Sequence, residues 1–190
     1  MHGDEIVRLQ DGLRIAVVGV TGAGKTRLSR LLSRKLGLLN IEMDALHWRP
    51  DWVPAPEAEF CRDVAFMTTA SRWVADGNYS RMREIVWSRA TELVIVSPPH
   101  TIAFLRLIRR TLSRIISRRE LWNGNRESLR MSLSRDSIVV WFLKTYRGRY
   151  RGFIRQHGQP PYRHLRLHVV RTPRDERRLL SYLRSGSGTR

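Results

Sequence analysis

The sequence predicts an α/β fold built on a parallel sheet. Five short apolar segments alternate with amphipathic helical patterns along the 190 residues. The first apolar segment leads through a glycine-rich loop into a helical pattern, which indicates a strand–loop–helix unit. No internal repeat interrupts the alternation, and only the tail 185–190 is of low complexity and expected to be mobile. We predict strands at 13–18, 39–43, 72–76, 92–97 and 165–170.

A phosphate-binding loop follows the first predicted strand. The residues from Gly19 to Thr26 match the pattern G-x-x-x-x-G-K-[ST]. The glycines allow the backbone to curl so that its N–H groups converge on phosphate oxygens. Lys25 is then placed to reach the β- and γ-phosphates, and the Thr26 hydroxyl is placed to ligate Mg²⁺. We therefore predict a site for a nucleoside triphosphate, formed by Gly19, Gly22, Ala23, Gly24, Lys25, Thr26 and Arg27.

Two carboxylates stand at the ends of the next predicted strands. In a doubly wound sheet, ligands bind beyond the carboxyl ends of the strands, so Asp44 and Asp76 are expected to face the phosphate-binding loop. Asp44 is a candidate to hold Mg²⁺ through water or to accept a proton from a substrate hydroxyl, with a capping role as the alternative. Asp76 closes its strand as a Walker-B carboxylate does, where it would orient Mg²⁺ or its water, again with capping as the alternative.

The segment 45–70 is predicted to form the acceptor side. It opens with a loop that contains Trp48, Trp52 and three prolines. This stiff aromatic loop is interpreted either as a wall for an acceptor or as a cover for the edge of the core. A helix is predicted at 57–70 from its apolar spacing. Three arginines after the third predicted strand are candidate acceptor contacts or solvent-exposed residues, namely Arg81, Arg83 and Arg89.

The helix predicted at 101–117 carries a row of arginines four residues apart: Arg106, Arg110, Arg114 and Arg118. Like charges at this spacing repel each other unless an anion neutralises them. Some of these side chains are therefore expected to face phosphates, and the alternative is a wholly solvated row.

The segment 118–128 breaks the helical pattern with Asn-Gly-Asn. A short, arginine-rich loop between two long helices is typical of a mobile lid. Three arginines in or beside this segment are candidates to close over the transferred phosphoryl group and neutralise its charge: Arg119, Arg126 and Arg130.

Two further segments are candidates for ligand contact. The run 147–155 is basic with interleaved aromatic residues, which makes it the best nucleic-acid candidate, although an exposed helix face is favoured. The turn at Arg171, after the fifth predicted strand, is expected to lie beside the phosphate-binding loop on the base side of the nucleotide.

The composition limits the class of protein. The net charge is +18, and three of the 35 basic residues are lysine. This charge favours an anionic partner, although a polyphosphate pocket accounts for part of it. Cys61 cannot form an internal disulfide, and no run approaches the ~20 apolar residues of a membrane span. We expect a cytoplasmic protein without a membrane partner or zinc site, as a monomer or homodimer.

Three motifs resemble the bacterial P-loop kinases known as adenylate-kinase-like or topology modulation (FlaR-type) proteins. They are Asp44-Ala-Leu-His-Trp-Arg-Pro-Asp-Trp52, Trp73-Val-Ala-Asp-Gly-Asn-Tyr79 and Glu120-Leu-Trp-Asn-Gly-Asn-Arg-Glu-Ser128. The resemblance implies one nucleoside-monophosphate-kinase domain over 1–190, with strand order 2-3-1-4-5, helices on both faces and a short lid. It also implies that Lys25 and Thr26 bind ATP and Mg²⁺, that Asp44 and Asp76 serve the acceptor and the metal, and that arginines near the lid stabilise the transferring group.

This chain departs from that family at two places. Adenylate kinases carry an arginine soon after the Asp-Gly of the third strand to hold AMP, whereas here Asn78-Tyr79-Ser80 displaces Arg81. Relatives often have an aspartate at the end of the fourth strand, where this chain has Ser97.

The sequence hypothesis is an ATP-dependent kinase that acts on a small molecule, such as a nucleotide. The alternatives are a nucleic-acid-associated P-loop ATPase and a non-catalytic nucleotide-binding regulator. The ATPase would bind DNA with a steep salt dependence and phosphorylate no acceptor. The regulator would bind ATP without turnover.

Overall fold

Five parallel strands form a sheet at the centre of the computed structural model, which describes residues 12–117, 120–126 and 138–185. The strand order is β2-β3-β1-β4-β5, which confirms the predicted fold class and topology. The strands are β1 (Arg14–Gly19), β2 (Leu39–Glu42), β3 (Trp73–Asp76), β4 (Glu92–Val96) and β5 (Arg166–Val170).

Helices connect the strands and cover both faces of the sheet. They are α1 (Lys25–Leu36), α2 (Met43–His47), α3 (Glu57–Met67), α4 (Arg83–Arg89), α5 (His100–Ser117), α6 (Ile138–His157) and α7 (Pro173–Arg184). The sequence pattern missed α2 and α4 because helices this short show too few turns for a periodicity to emerge. The second predicted strand was also one residue too long, since Met43 begins α2.

The two faces of β1 pack against different helices. Ile15 and Val17 belong to a core shared with α1, α5 and α7, whereas Ala16 and Val18 belong to a core shared with α3 and α4. Because both faces are covered, the strand is apolar at each position from Ile15 to Val18 rather than alternating with polar residues. Within the described ranges, no helix has the length and apolar character that crossing a bilayer requires.

Leu32 on α1 provides a test of the first core. Its side chain is fully buried. We expect Leu32→Ala to lower the free energy of unfolding by about 2–5 kcal/mol, because it removes apolar contacts and leaves a cavity. Leu105→Ala on the exposed side of α5 is the control and should change stability little. Urea unfolding measures both, and equal losses in the two variants would contradict the placement of this core.

Candidate active site

The phosphate-binding loop connects β1 to α1 at the carboxyl edge of the sheet. Gly24, the residue that precedes α1, has a left-handed backbone with φ of 98°, which a residue with a side chain rarely adopts. Gly19 lies so close to β4 that a Cβ atom there would overlap the carbonyl oxygen of Val96. The glycines therefore serve the loop's curvature and its close approach to the neighbouring strand.

Lys25 folds back over this loop. Its Nζ donates a hydrogen bond to the Val20 carbonyl oxygen at 3.2 Å. Burial lowers the pKa of Lys25, while the charges of Asp76 and Asp44 act in the opposite direction. The ammonium group thus lies in the enclosed part of the site, within electrostatic range of both predicted carboxylates.

Asp76 is a buried carboxylate beside the loop. Its side chain accepts a hydrogen bond from the Thr26 hydroxyl through Oδ2, and the residue is 6% exposed. Burial raises the pKa of Asp76 to about 6, although Lys25 and Thr26 oppose this shift. Its Oδ1 atom is buried and accepts no hydrogen bond within the described part of the chain.

The Thr26–Asp76 pair fits a Mg²⁺ site. A hydroxyl and a carboxylate oxygen are hard ligands of the type that Mg²⁺ prefers, and the buried Oδ1 offers a further oxygen for the ion or its water. The described residues contain no cluster of three or more His, Cys, Asp or Glu side chains able to hold a metal. An ion here would accordingly take its remaining ligands from water and nucleotide phosphates, as Mg²⁺ commonly does.

The two residues that follow Gly77 belong to the second sequence motif, but the sequence predicted no role for them. Asn78 brackets the start of the loop, since its Oδ1 accepts a hydrogen bond from the Gly19 N–H at 3.1 Å and its Nδ2 donates to the Gly19 carbonyl oxygen. Tyr79 donates its hydroxyl hydrogen to Oδ1 of Asp44 at 2.7 Å. The signal that was available is their position, directly after the carboxyl end of β3.

A third carboxylate at this edge was also missed. Glu42 ends β2, in register with Asp76 on β3. Burial would raise the pKa of Glu42, but hydrogen bonds from Arg30 and Trp122 outweigh it and hold the pKa below its usual value. Glu42 therefore stays ionised and adds negative potential that raises the pKa of Asp76.

The predicted lid segment contacts the predicted acceptor side. Residues 120–126 form a turn that we call the Asn turn, and it lies on residues 45–52. Asn125, which is 4% exposed, donates to the Arg49 carbonyl oxygen at 2.8 Å and accepts from the Trp52 N–H at 2.7 Å. Asn123 donates to the Ala45 and Trp48 carbonyl oxygens. Side-chain amides of one turn thus satisfy backbone groups of the other.

The arginines predicted to assist phosphoryl transfer do not all lie at the phosphate-binding loop. Arg126 forms an ion pair with Glu120 at 2.6 Å on the surface. Arg119 and Arg130 lie outside the described residues. From the row on α5, Arg106 donates to the Ala23 carbonyl oxygen of the phosphate-binding loop at 3.3 Å. At least this member of the row contacts the phosphate-binding loop.

The remaining nucleotide contacts predicted from the sequence are Arg27 and Arg171. Arg27 forms an ion pair with Glu176 on α7. Arg171 follows β5, where its guanidinium stacks on the Tyr150 ring at 5.2 Å and donates to the Tyr150 hydroxyl at 3.1 Å. Both cations are exposed at the carboxyl edge of the sheet.

Of the three arginines after β3, Arg83 lines a small cavity and the other two contact residues of the segment 45–70. Arg81 pairs with Glu57 at the surface, and Arg89 bonds the carboxyl end of α3 through the Ala65 carbonyl oxygen. Arg83 is half-buried over the Trp87 ring and lines a small cavity together with Tyr79. Burial lowers the pKa of Arg83.

The basic run 147–155 does not form a stacking surface for bases. Phe153 is buried in the core beneath the sheet, and Tyr150 packs against that core and contacts Arg171. Base stacking requires aromatic faces open to solvent, so the interleaved aromatic residues here serve packing instead.

Several solved structures with the same architecture are kinases. A gluconokinase from Sinorhizobium meliloti is 17% identical, with 93% of this chain and 95% of that chain covered and a TM-score of 0.52. A shikimate kinase from Acinetobacter baumannii in complex with shikimate is 16% identical, with 94% of each chain covered and a TM-score of 0.53. A sugar kinase from Janibacter is 18% identical, with 90% and 94% covered and a TM-score of 0.51.

These likenesses establish the fold that this chain shares with small P-loop kinases. At such identities they say nothing about its substrate. No protein-family model matches the chain, and no curated protein matches it in sequence.

The raised pKa of Asp76 predicts a pH-dependent stability. The folded-state pKa of about 6 lies above the ordinary 3.8, so the folded protein retains a proton that the unfolded chain loses as the pH rises. Asp76 therefore costs stability that is absent below pH 3.8 and complete above about pH 6. Without nucleotide or metal, Asp76→Asn should stabilise the protein at pH 7.5 by on the order of 2 kcal/mol and have little effect at pH 3.8. Chemical denaturation at several pH values measures this difference, and a pH-independent difference would contradict it.

Proposed function

We propose that the protein is an ATP-dependent phosphotransferase that transfers the γ-phosphoryl group of ATP to a small molecule. The observation that carries the proposal is the arrangement at the carboxyl edge of the sheet. The Thr26–Asp76 pair stands at the phosphate-binding loop, and a separate carboxylate, Asp44, lies within electrostatic range of Lys25. A donor site and an acceptor base at the same edge suit phosphoryl transfer better than nucleotide binding alone.

Each group has a proposed role in the reaction. Bound Mg²⁺·ATP supplies the transferable phosphoryl group and a metal charge that neutralises its oxygens. The loop N–H groups bind phosphate oxygens, Lys25 contacts the β- and γ-phosphates, and Thr26 and Asp76 hold the ion directly or through water. Asp44 accepts the proton of the acceptor hydroxyl as the new O–P bond forms. The bond between the γ-phosphorus and the β–γ bridging oxygen breaks, and ADP leaves.

Arginines complete the proposed site. Arg126, with Arg119 and Arg130, would neutralise charge on the transferring group, and Arg106 would add to it from α5. Because Arg126 is paired with Glu120, it must exchange this partner for the phosphoryl oxygens. Arg27 and Arg171 are proposed to flank the nucleotide.

Arg83 supports an acceptor that carries a negative charge. Its side chain is half-buried beside Tyr79, and among the described residues it makes no ion pair with a carboxylate. A carboxylate or phosphate on the acceptor would supply a partner for the Arg83 guanidinium.

The resemblance to the topology modulation group remains part of the proposal. It rests on the three sequence motifs, and two of them now have a common structural setting. The Asn turn of the third motif packs on the aromatic loop of the first, through Asn125 and Trp52.

A screen for ATP-dependent phosphorylation tests the proposed function. The compounds are nucleoside monophosphates, nucleosides, sugars and hydroxy acids, with ADP release and product mass as the readouts. We expect turnover with a hydroxyl compound that also bears an anionic group. DNA binding with a steep salt dependence and no phosphorylated product would instead favour the nucleic-acid-associated ATPase.

Lys25→Ala should abolish ATP turnover while the fold remains intact. The ammonium group contacts the phosphates in the proposed site, and truncation of its side chain leaves the packed core unchanged. Turnover is measured with saturating Mg²⁺·ATP, and circular dichroism checks the fold. Turnover at the wild-type rate would show that the site is assigned wrongly.

Arg126→Ala should lower kcat by about 100-fold or more with little change in nucleotide affinity, because its charge acts on the transition state. Arg81→Ala is the matched control, since Arg81 is also an exposed arginine paired with a glutamate. The control should keep the wild-type kcat. An equal loss of kcat and nucleotide affinity in Arg126→Ala would argue against a transition-state role.

A further inference from the structure

Tyr79 is in direct contact with the proposed acceptor base. Its hydroxyl donates to Oδ1 of Asp44 at 2.7 Å. Among the described residues, no other group forms a hydrogen bond with the Asp44 side chain. Oδ2 of Asp44 is thereby left as the oxygen that an acceptor hydroxyl can use.

The Tyr79 hydroxyl is a permanent donor. Burial and the negative charge of Asp44 both raise the pKa of Tyr79, so the phenol keeps its proton throughout the physiological range. The hydroxyl cannot become a second negative charge beside Asp44 at any working pH. Oδ1 of Asp44 therefore faces a neutral donor.

The ring of Tyr79 is held in place by aromatic neighbours. It contacts Phe60 on α3 edge-on, with 5.0 Å between ring centroids, and His47 on α2 at 4.7 Å. These contacts fix the direction of the hydroxyl. A fixed donor restricts the rotation of the carboxylate that it binds, which is how a catalytic group is pre-oriented.

The residue before Tyr79 ties the same loop to the nucleotide site. Asn78 binds both backbone polar groups of Gly19, the first residue of the phosphate-binding loop. Adjacent residues of one loop therefore set the position of the phosphate site and of Asp44. A rigid reference between the two is what in-line transfer needs, because small displacements of the reacting groups cost rate.

We propose that Tyr79 is a positioning residue, which holds Asp44 so that Oδ2 faces the hydroxyl of the acceptor. This inference rests on the proposed function, because it assigns Tyr79 a role through Asp44. The competing explanation is that the hydrogen bond between Tyr79 and Asp44 only stabilises the fold. The two explanations differ in what happens when the hydroxyl alone is removed.

The test is Tyr79→Phe, which removes one oxygen and keeps the ring contacts. Wild type and variant are compared with the best acceptor of the screen, and with Mg²⁺·ATP alone, where water takes the acceptor's place. We expect kcat to fall about tenfold with the KM for ATP unchanged. Tyr146→Phe is the matched control, since the Tyr146 hydroxyl also donates to a fixed oxygen, the Pro98 carbonyl at 2.7 Å. It should keep the wild-type kcat.

A double-mutant cycle separates positioning from stability. In an Asp44→Asn background, Tyr79→Phe should have little further effect on kcat, because the hydroxyl acts through Asp44. The same tenfold loss in both backgrounds would overturn the proposal. So would an unchanged kcat in Tyr79→Phe, or a loss of kcat that merely follows a lower melting temperature. A wild-type protein without turnover in any assay would overturn the proposed function itself, and this inference with it.

Discussion

The burial of a carboxylate at the end of β3 is the constraint around which the site is arranged. Asp76 lies in a strand paired on both sides, and its charge is disfavoured there unless cations and donors face it. Thr26 supplies a hydrogen bond and Lys25 a positive charge, and both belong to the phosphate-binding loop. This loop is therefore bound to the neighbouring strand as well as shaped by its own glycines.

The three residues after Asp76 also contact other parts of the proposed site. Gly77 lies against α2, where a Cβ atom would come within 2.9 Å of the Met43 side chain. Asn78 then reaches back to Gly19, and Tyr79 reaches across to Asp44. A stretch of four residues thus contacts the proposed metal site, the phosphate-binding loop and the proposed acceptor base. Such concentration follows from the topology, because β3 lies between β1 and β2 in the sheet.

The Asn turn and the aromatic loop together form the outer wall of the proposed acceptor site. Asp51, Trp52 and Asn123 have positive φ values between 54° and 58°, which is uncommon for residues other than glycine. Two strained turns face each other and share hydrogen bonds through Asn125 and Trp52. Strain of this kind persists where the surroundings determine the conformation, and it is frequent at functional sites. The wall of the proposed acceptor site is accordingly built from two distant parts of the chain.

The elements that could be predicted are those whose determinants are local. The phosphate-binding loop is recognised from eight consecutive residues. The three central strands are recognised from apolar runs, which they need because both their faces are covered. The short helices α2 and α4 were not predicted, because they contain too few turns to show a helical period. Glu42 was missed for another reason. Its importance comes from alignment with Asp76 across the sheet, which the linear sequence does not display.

Neighbouring residues and their spacing are enough to predict the fold class, the phosphate-binding loop and the strand ends at which ligands are expected. The contacts between distant side chains are visible only in the folded chain. Asn78 and Gly19 are 59 residues apart, Tyr79 and Asp44 are 35 apart, and Trp52 and Asn125 are 73 apart. These pairings form when the sheet and its connections bring distant segments together, and no local pattern records which of many polar residues will be brought into contact.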